Sequence, residues 1–287
     1  MSNNVLFDAP GPRTVIRHRI YSLLALFAVL GVLAFMFVRF NDAGVFEADQ
    51  WEVFTTPDYV RVILVDGLLN TLKMAGLAIL GAVVLGFLLG VGKLSEHALV
   101  RWPAWLVVEF FRAVPVLLLM VFTWYLLGIQ KDNTSFWAVV VALTLYNGAV
   151  LAEVLRAGVN AVPKGQREAA YAIGMRKTQV MNIVLMPQAV KIMLPAIISQ
   201  CIVALKDTAL GQYVLAPGLT FVYKQIFLEF HNRVPTMIVI AGIYILVNLL
   251  LTVLATYAQK KLVGEKKPLQ VSMVGAAPGG GAAAGTI

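Results

Sequence analysis

Six mostly apolar stretches, residues 20–38, 64–91, 104–127, 136–161, 193–215 and 235–257, recur along this chain. A helix needs about 20 such residues to cross the hydrocarbon core of a bilayer. A lipid-exposed backbone must satisfy its own hydrogen bonds, so apolar stretches of this length can cross only as helices. The pattern therefore predicts an all-α polytopic membrane protein with about six transmembrane helices. A soluble domain is excluded by the same numbers, since 60% of the 287 residues are hydrophobic and only 13% charged. Arg13, Arg17 and Arg19 precede the first stretch, as in a signal peptide. That stretch is long and no clean small-residue cleavage site follows it, so it reads as an uncleaved first helix.

Six crossings put both ends of the chain on one side. On that side fall Arg13, Arg17, Arg19, Lys93, Arg101, Lys164, Arg167, Arg176, Lys177, Lys260 and Lys261. The opposite side receives the acidic segment 40–59, with Asp42, Glu47, Asp49, Glu52 and Asp58. The positive-inside rule then makes both termini cytoplasmic in a cell-membrane protein. The expected organisation is a tail over 1–19, a transmembrane domain over 20–259, and a basic, glycine-rich tail over 260–287. The net charge of +8 thus belongs to helix ends. Without basic–aromatic interleaving, it argues against a nucleic-acid partner.

Several kinds of chemistry lack their residues. The segment GFLLGVGKLS at 86–95 resembles a phosphate loop, but Phe87 and Leu94 stand where glycine and a hydroxyl are required. Its Gly86 and Gly90 fit a close helix–helix contact instead. His18, His97 and His231 have no metal-ligand spacing, and no serine or cysteine has a plausible base nearby. The single Cys201 is expected to be an ordinary apolar side chain. The chain is not expected to be an enzyme, to hold a metal, or to hydrolyse ATP.

Charges at membrane depth each cost roughly 2.5–3.5 kcal/mol and require a partner or a purpose. Glu109 and Arg112 are three apart, and Glu153 and Arg156 repeat the spacing on the next stretch. A four-residue clasp between adjacent helices is geometrically open to them, as are snorkelling and pairing within each helix. Lys206, Asp207 and Thr208 fall nearer the middle of the fifth stretch. Neighbouring residues on a helix point about 100° apart, so Lys206 and Asp207 do not simply face each other. Asp207 suits the ammonium of a zwitterionic substrate; pairing with another helix or with water is the alternative.

Between the fourth and fifth stretches lies the charged segment 162–190. Pro163 and Gly165 end the fourth helix. A short helix with Ala169, Ala170 and Ala172 follows, and Gly174 suits a left-handed helix end. Thr178 is placed to cap the next helix, and Pro187 and Pro195 to bend it back towards the membrane. The outcome is a small-sided knob turned by a glycine elbow, better shaped for a groove in a partner than for a lipid surface.

These residues carry a family resemblance. Glu168-Ala169-Ala170 with Gly174 and a following Leu185–Pro187 segment resembles the EAA loop of ABC-importer permeases. GLLNTL (67–72), EFFRAVP (109–115), YNGAVLAEVLRAGV (146–159) and LKDTAL (205–210) are similar to the polar-amino-acid branch, with its histidine, glutamine, glutamate and arginine permeases. Within that branch, the actinobacterial glutamate importers are the most similar group. The resemblance covers about residues 60–260. It implies the type I importer permease fold, with Gly165, Glu168, Ala169, Ala170 and Gly174 coupling to a cytoplasmic ATPase dimer that holds the ATP and Mg. It also implies a sister permease or second copy, an extracytoplasmic amino-acid-binding protein, and no cofactor in this chain. Ala113, Val114 and Asn147 depart from the branch pattern, and Asn147 joins Lys206, Asp207 and Thr208 as a candidate for the substrate pathway. An ion-coupled secondary carrier is the rival reading. It would require an internal repeat, and none is convincing between the two halves.

Overall fold

In the computed structural model, which describes residues 11–128 and 133–263, helices account for nearly all of the described backbone. In chain order they are α1 (Pro12–Asp42), α2 (Asp49–Glu52), α3 (Pro57–Arg61) and, after a π-helical stretch Val62–Leu69, α4 (Asn70–Lys93). Then come α5 (Ala98–Ala113), α6 (Val116–Leu127), α7 (Thr134–Ala161), α8 (Lys164–Ala172) and α9 (Lys177–Gln179). A second π-helical stretch, Val180–Leu185, leads into α10 (Met186–Asp207) and a 3-10 segment Thr208–Val214, before α11 (Leu219–Phe230) and α12 (Arg233–Val263). Of the tail foreseen at 260–287, residues 260–263 continue α12, and the rest, like the first ten residues, lies outside the described residues.

The centre of the bundle is the α4–α7 pair, and its closeness follows from residue size. Ala78, Ala82, Gly86 and Gly90 recur every four residues on α4 and are all buried, forming a narrow stripe of minimal side chains. A Cβ on Gly86 would lie 2.7 Å from Leu151 Cβ and 2.9 Å from the Gly148 carbonyl oxygen. One on Gly90 would lie 2.6 Å from Leu155 Cδ2. Gly81 meets Thr144 in the same way, at 2.7 Å from its Oγ1. Gly86→Ala must therefore push the two helices apart, at a cost of about 1–3 kcal/mol. A drop in melting temperature in detergent is expected for Gly86→Ala, and none for Gly76→Ala, because Gly76 has nothing within 4 Å.

Among the described residues, five helices are long and apolar enough to cross a membrane, and α5 with α6 makes a sixth crossing only as a pair bent by 105°. The single straight span expected at 104–127 is thus replaced by a broken one. Pro115 has no N–H to donate, and it pushes Val114 into an extended conformation, φ −78° and ψ 128°. The fifth span differs too. Its helix runs 38 residues, Lys177–Val214, about 57 Å at 1.5 Å per residue against a hydrocarbon core of about 30 Å. The extra length begins beside α8. Helix α11, unforeseen in the sequence, docks where the Leu219 N–H donates to Thr71 Oγ1 at 3.0 Å, and Thr71 donates to the Gly67 carbonyl at 2.9 Å.

Helix α1 stands apart: residues 16–39 are exposed without interruption. Near its end Phe37 meets Phe46, with ring centroids 5.3 Å apart.

Candidate functional site

The α8 knob is built by a short sequence with strong local preferences. Pro163, extended at φ −53° and ψ 131°, separates it from α7. At its other end Gly174 adopts φ +81°. The Gly174 N–H donates to the Tyr171 carbonyl at 2.9 Å and the Met175 N–H to the Ala170 carbonyl at 3.2 Å. This is the paired hydrogen-bond pattern of a Schellman end, which requires the left-handed residue that glycine supplies at least cost. Ala170 is the one buried residue of α8, set against Val162, Val180 and Leu185. Gly165, Glu168 and Ala169 face outwards. So do Tyr171 and Ile173, the latter 79% exposed; the sequence reading had not singled them out.

Thr178 does not cap the next helix. Arg176 occupies the N-cap position, and its backbone N–H donates to the Gln179 side-chain carbonyl at 2.8 Å. A second tie holds this junction: Lys177 Nζ lies 2.6 Å from Glu96 Oε1 in the loop before α5. The hydrogen bond and charge of Lys177 hold the Glu96 carboxyl below its usual pKa.

The four charges expected to form a clasp do come together, but not alone. Arg112 donates to Glu109 at 3.3 Å within α5, and Arg156 Nε donates to Glu153 at 2.9 Å within α7. The tie between helices is Lys93, at the end of α4. Its ammonium donates to Glu109 Oε1 at 3.1 Å and to Glu153 Oε2 at 2.7 Å, with the side chain only 4% exposed. Sequence reasoning had passed over Lys93 as part of a false phosphate loop. Its signal was a lysine close behind a small-residue helix face, which must be buried if that face packs. Glu109 also lies near the end of α5, just ahead of the break, and not near the start of a straight span.

Lys206 and Asp207 sit where the long helix changes type, since α10 ends at Asp207 and the 3-10 segment starts at Thr208. Lys206 is exposed, Asp207 is half-buried, and neither makes an ion pair among the described residues. Thr208 is buried and donates to the Leu205 carbonyl at 2.6 Å. Asn147 is not open to this region: it is 1% exposed, donates to the Leu143 carbonyl at 2.8 Å and accepts from Gln200 Nε2 at 2.6 Å. It ties α7 to α10. The α12 group that does approach Thr208 is Tyr244. The Tyr244 hydroxyl lies beside the hydroxyls of Thr71, Thr208 and Thr220. Yet Tyr244 Oη and Asn248 Oδ1 are buried without a hydrogen-bond partner. Their i, i+4 spacing within an apolar helix was the available signal.

The fold defines a polytopic helical membrane protein of the type I importer permease class. The chain belongs to the family described as the binding-protein-dependent transport system inner membrane component, whose model matches residues 82–264. It is 39% identical over 223 residues to the glutamate transport system permease protein GluD of Corynebacterium glutamicum, covering 76% of this chain and 82% of the relative. It is 34% identical to the arginine transport system permease protein ArtQ of Bacillus subtilis, covering 69% and 92%. Among solved structures, an amino acid ABC transporter crystallised with histidines matches with a TM-score of 0.64 at 30% identity, over 69% of this chain and 92% of that one. The inward-facing MetNI methionine transporter shares the fold, with a TM-score of 0.62 at 22% identity.

Proposed function

We propose that this chain is the permease subunit of an ATP-driven importer for a polar amino acid, with glutamate the leading substrate. The observation that carries the reading is α8, a small-sided helix with a glycine elbow at the head of a helix longer than a membrane is thick. The 39% identity to a glutamate permease supports the choice of substrate. In this reading both termini and α8 are cytoplasmic, as the distribution of basic residues favours. Two permeases, a sister or a second copy, would form the core. Two ATPase subunits carrying ATP and Mg would grip the exposed faces of their α8 helices around Gly165, Glu168 and Ala169. ATP binding draws the two α8 helices together and the permeases turn outward, and an extracytoplasmic binding protein then delivers the amino acid. The free energy of ATP acts only through contacts that differ between the two states.

Along the path, Asp207 is proposed to receive the α-ammonium group, with Lys206 and Thr208 beside it. Tyr244 beside Thr208 adds a buried hydroxyl without a geometric hydrogen-bond partner among the described residues. The test is uptake of labelled glutamate into liposomes holding the permease, the ATPase and the binding protein. Asp207→Asn is expected to lower uptake about tenfold or more, the loss of one charge-assisted contact worth about 1.5–3 kcal/mol. ATPase co-purification should not change. Loss of the ATPase from Asp207→Asn would make Asp207 a structural residue, and uptake by the permease alone on an ion gradient would overturn the importer reading.

A further inference from the structure

A cavity of about 430 Å³ opens between α4, α5 and α7 at the end of the bundle that carries α8. Its charge does not balance. Lys93, Arg101 and Arg156 line it against only two carboxylates, Glu109 and Glu153. Those carboxylates are already engaged by Lys93, Arg156 and the nearby Arg112. Arg101 has no acidic partner among the described residues, so its guanidinium stands at the cavity open to an anion.

The surroundings indicate where that anion comes from. Helix α5 meets α6 at a 105° bend, so the two cannot both lie along the bilayer normal, and α5 is taken as the one near the surface. Its outer side exposes Leu99, Trp102, Leu106 and Phe110, an apolar stripe on the helix whose opposite side buries Ala104 and Val108. Trp102 and Trp105 both line the cavity and pack edge to face, 5.7 Å between ring centroids. An amphipathic helix with tryptophan beside arginine is suited to the headgroup layer. Basic pockets between helices at that depth attract anionic headgroups.

We infer that this cavity binds the phosphate of an anionic phospholipid. Arg101 receives the phosphate and the two tryptophans flank the glycerol end, while the paired Lys93, Arg156, Glu109 and Glu153 behind them add no net charge. The inference does not depend on which amino acid is carried.

The test uses the complete transporter purified with its co-purifying subunits in nanodiscs of phosphatidylcholine and phosphatidylglycerol. Native mass spectrometry counts the lipids that stay bound after dilution. The parent is expected to retain phosphatidylglycerol over phosphatidylcholine, and Arg101→Ala and Trp102→Ala to lose that retention severalfold. Both side chains are exposed, so neither change threatens the fold. Equal retention by parent and Arg101→Ala would overturn the inference. Release of the lipid by inorganic phosphate alone would reassign the cavity to a soluble anion, and release by glutamate alone would reassign it to the transported substrate. Either result would overturn the lipid reading.

Discussion

Gly174→Arg is expected to abolish ATP-driven uptake while the protein still inserts and folds. The residue sits at φ +81°, a region that costs an ordinary L-residue about 1–2 kcal/mol. No neighbour is crowded, since nothing lies within 4 Å of a Cβ placed there. The damage is thus confined to the backbone of the elbow and to the charge added beside it. Relaxing to negative φ would break the Gly174–Tyr171 and Met175–Ala170 hydrogen bonds and swing α8 off its seat on Ala170. At about 1.4 kcal/mol per factor of ten, the ratio of seated to unseated knob falls about tenfold. The arginine adds a bulky cation to a surface proposed to enter a groove. Gly174→Asn should be far milder, because asparagine tolerates the left-handed region. Uptake assays and pull-down of the ATPase on the three proteins check this. Equal uptake by parent and Gly174→Arg would remove α8 from the coupling mechanism.

Lys93→Met should produce the largest loss of stability among the charge changes. The lysine is the only described group that bonds to both Glu109 and Glu153, and so joins α4, α5 and α7. Removing one member of a fully buried pair costs about 3–5 kcal/mol. Here the Glu109 and Glu153 side chains keep 39% and 22% of their exposure, and each retains its own arginine. Solvent screening brings the expected cost to about 2 kcal/mol. In a Glu109→Gln, Glu153→Gln background, Lys93→Met should cost much less, because the carboxylates that needed it are gone. Melting temperatures of the four proteins in one detergent close this cycle. If Lys93→Met costs the same in both backgrounds, its role is packing and not charge.

The helical membrane class was legible because hydropathy reports directly on the solvent of each stretch. The glycine elbow was legible because only local backbone chemistry decides it. The seat of the α4–α7 contact was visible for the same reason, since Gly86 and Gly90 have no side chain to hide their purpose. What escaped depended on partners remote in sequence. Lys93 takes its meaning from residues 16 and 60 positions away, and Asn147 from Gln200, 53 positions on. The break at Pro115 escaped for a different reason. Its proline was in view, but two apolar half-helices have the same hydropathy as one span. Helix α11 was too short to register as a span and too apolar to read as a loop.

The backbone contact between α4 and α7 has a mechanical meaning. Helices separated by long side chains can slide, because rotamers absorb the displacement. Helices that meet backbone to backbone at Gly86 and Gly90 have no such bearing, so the pair is expected to move as one rigid body. Motion is left to the parts not gripped in this way, above all α12, whose own Gly242 has nothing within 4 Å.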